Sequence, residues 1–511
     1  MLKTTCWILL LLIALPAGLA AQPLPEMGLP ILRTYVPRDI DVSKQIWNIM
    51  QDRRGVLYFG GTRGVFEYDG ANWRKIRISS NVVRSLAQDA EGKIWMGANG
   101  SFGTLEPDRN GSMQYLPVTE KIPVEHRDFT DVWQVLLTPK AKYFRSYQRL
   151  FRWDGQRMQV WVSKSRFEAL SEVRGRIYTS QGGIGLQEIV GDELRNLPGG
   201  EAYKSSAKLF LHAYDDRRIL ISARNSKLSL YDGEKSTPFS TQADAYLAKN
   251  DLYVSVLLPD GGFCLTTLRG GAVIIDHDGR LRRTIDKETG LLDGNVLSAM
   301  MDRDGALWLG QGGGITRVNV GSQVSLFTMG LPAGLTRHQG TMYVASANGG
   351  IPLSKLLSDP ETGIARLQAI PANFNQAWTL LSFKDPAAKV SPQLLLASGN
   401  GVMKIDGDKI SALIAGLEGV TQAANGLLLS RKNPNRLFVS HLGGYSSIRW
   451  DDGKWKDEGR VPNFSVGLGM GAEDSEGNFW VNSGPGQVAR IEVPATGMGD
   501  AKVVRLGAKE G

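Results

Sequence analysis

Short runs of apolar and aromatic residues recur along the chain, each opened by a turn residue and closed by a small one. Gly55-Val56-Leu57-Tyr58-Phe59-Gly60 returns as Gly92-Lys93-Ile94-Trp95-Met96-Gly97, Gly175-Arg176-Ile177-Tyr178-Thr179-Ser180 and Gly305-Ala306-Leu307-Trp308-Leu309-Gly310. Later copies begin at Gly340, Asn435 and Gly477, and weaker ones centre on Tyr143, Leu220, Cys264 and Leu395. Such runs are rich in residues that favour strands, and they lead into glycine-containing loops such as Gly182-Gly183 and Gly312-Gly313-Gly314. Both faces of each run are apolar, so each predicted strand is covered on two sides. A strand precedes each run, as at Ile46 to Met50 and Val296 to Met300. Another follows, as at Val65 to Tyr68, and an outer one carries an aromatic after a turn, as in Asp69-Gly70-Ala71-Asn72-Trp73. Amphipathic patterns of helical length are almost absent.

Six steps separate Gly55 from Gly305, a mean period of about 42 residues, which is the spacing of propeller blades. Four short strands per unit, sandwiched between neighbouring units, describe a blade. Seven units run from about Ile46 to Phe327, enough to close one ring, and four more lie between about Leu331 and Gly511. The predicted fold is therefore an all-β β-propeller, with one complete seven-bladed ring (22–328) followed by a second, incomplete propeller of about four blades (329–511). The last residues, Arg505-Leu506-Gly507-Ala508-Lys509-Glu510-Gly511, read like the linker that precedes another blade. They give the expectation that the sequence is the front part of a longer protein.

The amino terminus adds a compartment. Lys3 is followed by an unbroken apolar run, Trp7 to Leu15, and by the small-residue stretch Pro16 to Ala21. This is the pattern of a signal peptide (1–21) cleaved after Ala20 or Ala21, with an uncleaved anchor as the alternative. No later stretch reaches the ~18 apolar residues of a membrane helix. Cys6 belongs to the leader and Cys264 is then alone, a small buried hydrophobe in an alternating segment rather than half of a disulfide. The formal net charge is +8 with the basic residues scattered. That excludes a nucleic-acid arm and mildly favours an anionic ligand over the default of a basic soluble surface.

The segment Gly290 to Val296, followed by Met301-Asp302-Arg303-Asp304-Gly305-Ala306-Leu307-Trp308-Leu309-Gly310, resembles the two-component regulator propeller repeat. So does Ile46-Trp47 through Gln51-Asp52 to Gly64-Val65. About four units match well and the others are degenerate. The resemblance implies the periplasmic part of a bacterial transmembrane sensor, with two seven-bladed propellers, an immunoglobulin-like domain and a membrane helix. It implies a histidine kinase or diguanylate cyclase output, ligands that are often oligosaccharides, and a homodimer of the full-length protein. Membrane attachment is expected only through a missing C-terminal part. Trp153-Asp154 and Trp450-Asp451 look like the WD40 dipeptide but occur in only two units, so that propeller class is rejected. A free secreted carbohydrate-binding propeller and a propeller lyase remain as alternatives, since fold does not dictate function.

Candidate chemistry is sparse. His126, His212, His277, His338 and His441 lie far apart without metal-ligand spacing. His338 and His441 fall near predicted loops. Asp276-His277-Asp278-Gly279 and Asp302-Arg303-Asp304-Gly305 suggest calcium loops, but neither continues into the EF-hand pattern, and Asp and Gly are expected in turns for backbone reasons. No nucleophile elbow, Walker loop or dinucleotide fingerprint occurs, so no catalytic residue, metal or cofactor is expected in this chain. In a propeller, the loops after the small strand-end residues emerge on one face around the central channel. They carry Arg63, Asn99, Gln181, Arg224, Arg269 and Gln311, the candidate ligand-binding residues. Arginines there suit a carboxylate or sulfate of a small molecule or oligosaccharide. Trp47, Trp95, Trp308 and Trp480 look like sugar platforms but are read as core between blades, from their strand positions.

Overall fold

Each well-matched repeat is organised around one aspartate. The Asp302 carboxylate accepts the backbone N–H of Asp304 at 3.0 Å and of Ala306 at 2.8 Å, and the indole N–H of Trp308 at 2.8 Å. Asp89 and Asp474 accept from Trp95 and Trp480 in the same way, at 2.8 and 2.7 Å. Asp52 faces the hydroxyl of Tyr58 at 3.4 Å. One side chain thus closes the turn and anchors an aromatic of the next strand six residues on. Asp276 likewise accepts the N–H of Asp278 and Arg280. The carboxylates of both suspected calcium segments therefore serve as turn acceptors.

The computed structural model describes residues 28–36, 45–76, 78, 82–224, 228–322, 324–327, 331–347, 350–358, 365–414, 423–465 and 469–507. The expected leader, Cys6, residues 328–330 at the expected boundary and residues 508–511 of the final linker lie outside these. Among the described residues the strands form eleven four-stranded antiparallel sheets. Blades 1 to 6 are contiguous: 46–76, 83–117, 134–162, 167–196, 207–238 and 252–285. Blade 7 is not. It takes three strands from 296–319 and its outer strand from Ile31–Tyr35, which pairs antiparallel with Ile315–Asn319. Leu29 and Leu326 extend this seam with reciprocal backbone bonds of 2.7 and 2.8 Å. The first strands of these seven sheets contact one another in order, and that of blade 7 returns to that of blade 1, so the ring is closed. Four further blades follow, at 332–369, 377–412, 424–460 and 472–506, each built from its own segment.

Packing between blades explains the glycine next to the end of several second strands. Leu57–Gly61, Ile94–Ala98 and Leu307–Gln311 are buried at every position. A Cβ on Gly97 would meet Ser85 Oγ at 2.5 Å and Val132 Cγ1 at 2.6 Å, and one on Gly310 would collide with Ile46 and Ser298. The inner strand of the next blade lies directly over these glycines. Its approach is fixed by hydroxyls that bridge blades: Ser85 Oγ donates to the Val132 carbonyl at 2.9 Å and Ser298 Oγ to the Ile46 carbonyl at 3.0 Å. Apolar clusters fill the interblade layers. Between blades 7 and 1, Trp308, Tyr35, Phe59 and Tyr68 pack with Ile46 and Ile315. Cys264 lies fully buried between blades 6 and 7, and burial pushes its thiol up to about 12. The one α-helix among the described residues, Asp244–Asn250, connects blades 5 and 6.

Asp302→Ala leaves the buried Trp308 indole and two turn amides without their acceptor. It is expected to destabilise the ring by about 1–3 kcal/mol, whereas Asp304→Ala, at an exposed position of the same turn, is expected to be nearly neutral. Equal denaturant midpoints for the two variants would contradict the role given to this carboxylate.

Candidate functional site

The inner strands of the ring share a local irregularity that builds a site. In six of the seven, the register with the second strand slips by one residue immediately after the first residue. The residues left over are Trp47, Arg84, Glu168, Lys208, Tyr253 and Leu297. A bulge of this kind re-aims its extra side chain, and all six line one cavity of about 370 Å3, bounded by all seven inner strands. That cavity is the axial channel of the ring. Trp133, just before the inner strand of blade 3, completes the set.

The lining is strongly cationic: Arg84, Arg145, Arg166, Lys208 and Arg224 face it, with Glu168 as the lone carboxylate among the lining residues. Arg84 is held between two indoles, its Cζ 4.2 Å from the Trp47 ring centre and 4.4 Å from that of Trp133. Its Nη2 donates to Asp131 at 3.0 Å. Arg145 is buried and donates to Gln134 Oε1 at 2.6 Å and to the Phe167 carbonyl at 2.5 Å; burial brings its guanidinium down to about 10. The Lys208 ammonium lies 3.0 Å from the centre of the Tyr253 ring. Burial, and then the charges of Arg145, Arg224 and Arg84, hold it well below the usual lysine value. Lys208 also has φ 51°, a left-handed conformation unusual for a residue with a side chain, and its N–H donates to Glu168 Oε2 at 3.1 Å. Burial pushes the Tyr253 hydroxyl up to about 12 and raises that of Tyr147. Both phenols therefore stay protonated and able to donate.

The six candidates from the sequence divide. Their hairpins do emerge at the end of the blades where the bulges lie, because the last residue of each second strand pairs with the first residue of the inner strand, as in Ala207↔Arg224 and Val296↔Gln311. Arg224 reaches the channel and donates to Asp251 at 3.3 Å. Asn99 donates to the other oxygen of Asp131, the partner of Arg84, at 3.0 Å. Gln181 accepts a hydrogen bond from Ser163, and the fully buried Gln311 bonds the Asp293 carbonyl and the Thr316 hydroxyl. These two glutamines brace the strand ends. Arg63 and Arg269 are exposed on their loops and do not line the channel.

Trp95 and Trp308 are core, as expected, and Trp480 is tied to its turn aspartate. Trp47 differs: the bulge turns it out of the interblade layer and into the channel. Arg84, Glu168, Lys208 and Tyr253 were missed for the same reason, although each occupies the second position of its inner strand. The corresponding residues in blades 8 to 10 are Ala333, Trp378 and Asn425, so the cationic lining belongs to the first ring.

None of the five histidines lines this cavity. His212 Nε2 lies 2.8 Å from Ser255 Oγ and 3.1 Å from the Ser255 carbonyl. A carbonyl only accepts, so Nε2 carries the proton and cannot serve as a base toward that serine. His338 bonds Ser382 and the buried His441 bonds Ser446, so neither waits in a solvated loop.

Comparison with known proteins agrees with the repeats. The profile of the two component regulator propeller family matches residues 77–100. The match covers one repeat of the chain, in blade 2. No curated protein sequence matches significantly. Among solved structures, this propeller is similar to the extracellular domain of the putative hybrid two component system BT3049 from B. thetaiotaomicron. The TM-score is 0.66 at 16% identity, covering 94% of this chain and 67% of that one. The extracellular domain of the putative hybrid two component system BT4673 from the same organism matches at TM-score 0.45 and 15% identity, covering 94% and 68%. At 16% identity the first of these likenesses shows a shared fold and nothing further.

Two titrations follow from the geometry. After reductive 13C-methylation, the signal lost in Lys208→Met should titrate well below those of the surface lysines; a midpoint among theirs would refute the buried placement. For His212, burial lowers the folded value to about 4 from the usual 6.5. The neutral form is favoured on folding, so the contribution is complete above pH 6.5 and is lost as the pH falls toward 4, by up to about 3 kcal/mol. Denaturant unfolding between pH 7 and 4 should show this loss in the wild type and a flatter profile in His212→Gln.

Proposed function

We propose that this chain is the ligand-sensing propeller region of a bacterial extracytoplasmic signal-transduction protein, and that its ligand sits in the axial channel of the seven-bladed ring. The observation that carries the reading is the channel itself, where six bulges direct mainly large polar, charged or aromatic side chains into one cavity. A structural core would fill that space with aliphatic groups. Its volume lies within the range of small-molecule pockets. Aromatic faces with fixed donors beside them suit a saccharide, whose ring stacks while its hydroxyls accept hydrogen bonds. The likeness to the extracellular domain of a putative hybrid two component system supports the sensing role, as does the family. Periplasmic placement rests on that likeness and on the leader pattern of residues 1–21. No helix among the described residues is long and apolar enough to cross a membrane.

The reading is tested by thermal unfolding of the chain against a panel of neutral and acidic oligosaccharides. A true ligand at about 100 times its Kd stabilises by roughly 2.7 kcal/mol. The shift should disappear in Tyr253→Ala and in Arg224→Ala and persist in Arg269→Ala. A ligand that stabilises all four proteins equally would remove the channel as its seat.

A further inference from the structure

Resting on the channel as ligand seat, we propose that an oxyanion of the ligand, a carboxylate or a sulfate, is held at the cluster of Trp47, Arg84 and Trp133.

Asp131 accounts for Arg84 Nη2 alone. Arg84 Nε, Arg84 Nη1, Trp47 Nε1 and Trp133 Nε1 are all buried and have no acceptor among the described residues. Four unmatched donors around one guanidinium are costly, because each buried donor without a partner costs about 1–3 kcal/mol. Such groups are few in native proteins, and four of them converge here. The guanidinium carbon lies 4.2 and 4.4 Å from the two ring centres, and the rings stand edge to face, 5.8 Å apart at 88°, so these contacts involve ring faces and give the donors no acceptor. Every unmatched atom is a donor, which selects an acceptor-only ligand group.

The surroundings reinforce the sign. Arg145, Arg166 and Arg224 line the same cavity, and Arg224 Nε is a further buried donor without an acceptor. Glu168, the one carboxylate in the lining, accepts the backbone N–H of Lys208. A charged acceptor in a site of low dielectric forms stronger hydrogen bonds than a sugar hydroxyl does. A neutral sugar would leave the cationic excess uncompensated.

The probes are sodium sulfate and sodium acetate, added to the chain labelled with 15N-tryptophan, with sodium chloride at matched ionic strength as the control. The indole N–H signals of Trp47 and Trp133 are assigned from Trp47→Phe and Trp133→Phe, which keep an aromatic face. Both signals should shift saturably with at least one oxyanion and not with chloride, and the more effective probe names the acid group. Arg84→Met should weaken the response at least tenfold while Arg269→Ala leaves it intact. If Arg84→Met does not fold, Trp133→Phe supplies the same test, read at Trp47 as a several-fold loss of affinity. No shift at about 100 mM oxyanion, a range that detects binding of only a few kcal/mol, overturns the proposal, and so does an equal shift with chloride or an undiminished one in the variant. If these signals move only with a neutral oligosaccharide, the channel keeps its ligand and the acid seat falls.

Discussion

Everything in this molecule depends on how closely one blade lies on the next. The second strands of the ring are largely covered on both faces, and the residue before the last must be small where the neighbouring blade runs over it, as at Gly97 and Gly310. Hydroxyls then hold that approach, from Ser85 to blade 3 and from Ser298 back to blade 1. Stability is therefore distributed around the ring in equivalent layers rather than gathered in one core. Each buried aromatic or aliphatic side chain contributes roughly 1.5–3 kcal/mol to its own layer.

The same close approach forces the site. Inner strands crowd the axis, where a regular pleat would alternate side chains between the two adjoining layers. One extra residue near the start of six of the seven inner strands interrupts that alternation and turns a side chain toward the axis instead. The scaffold thereby presents a set of positions around the channel whose chemistry is free of the packing code. The first ring carries Trp, Arg, Glu, Lys, Tyr and Leu there, whereas blades 8 to 10 carry Ala, Trp and Asn.

What was legible in the sequence follows from this division. Second strands repeat because packing constrains every residue in them, and all eleven were visible, down to the degenerate copies around Tyr143, Leu220, Cys264 and Leu395. Asp276 and Asp302 were legible as turn residues, because Asp and Gly suit such turns, whereas the bond from Asp302 to the Trp308 indole was not. The end of the blades at which the bulges lie was also legible, and of the residues named there Arg224 lines the channel and Asn99 bonds the partner of Arg84. The bulges were not. They slip the register by one residue, so the alternation that assigned Trp47 to the core assigned it to the wrong face. The origin of the outer strand of blade 7 was hidden as well. Ile31–Tyr35 is an ordinary short strand whose partner lies some 280 residues away, and no local pattern marks it.

That remote partner gives the ring a clock. A chain made from its N-terminus exposes Ile31–Tyr35 first and Ile315–Asn319 nearly 300 residues later. At about 5–20 residues per second, synthesis leaves the clasp strand waiting on the order of tens of seconds for its mate. Throughout that interval blade 1 has no neighbour on one side, and its aromatic layer of Phe59, Tyr68 and Trp73 is uncovered. The nascent chain is therefore most exposed to self-association before its last strand arrives, and a chaperone that shields the leading blade would act during that window.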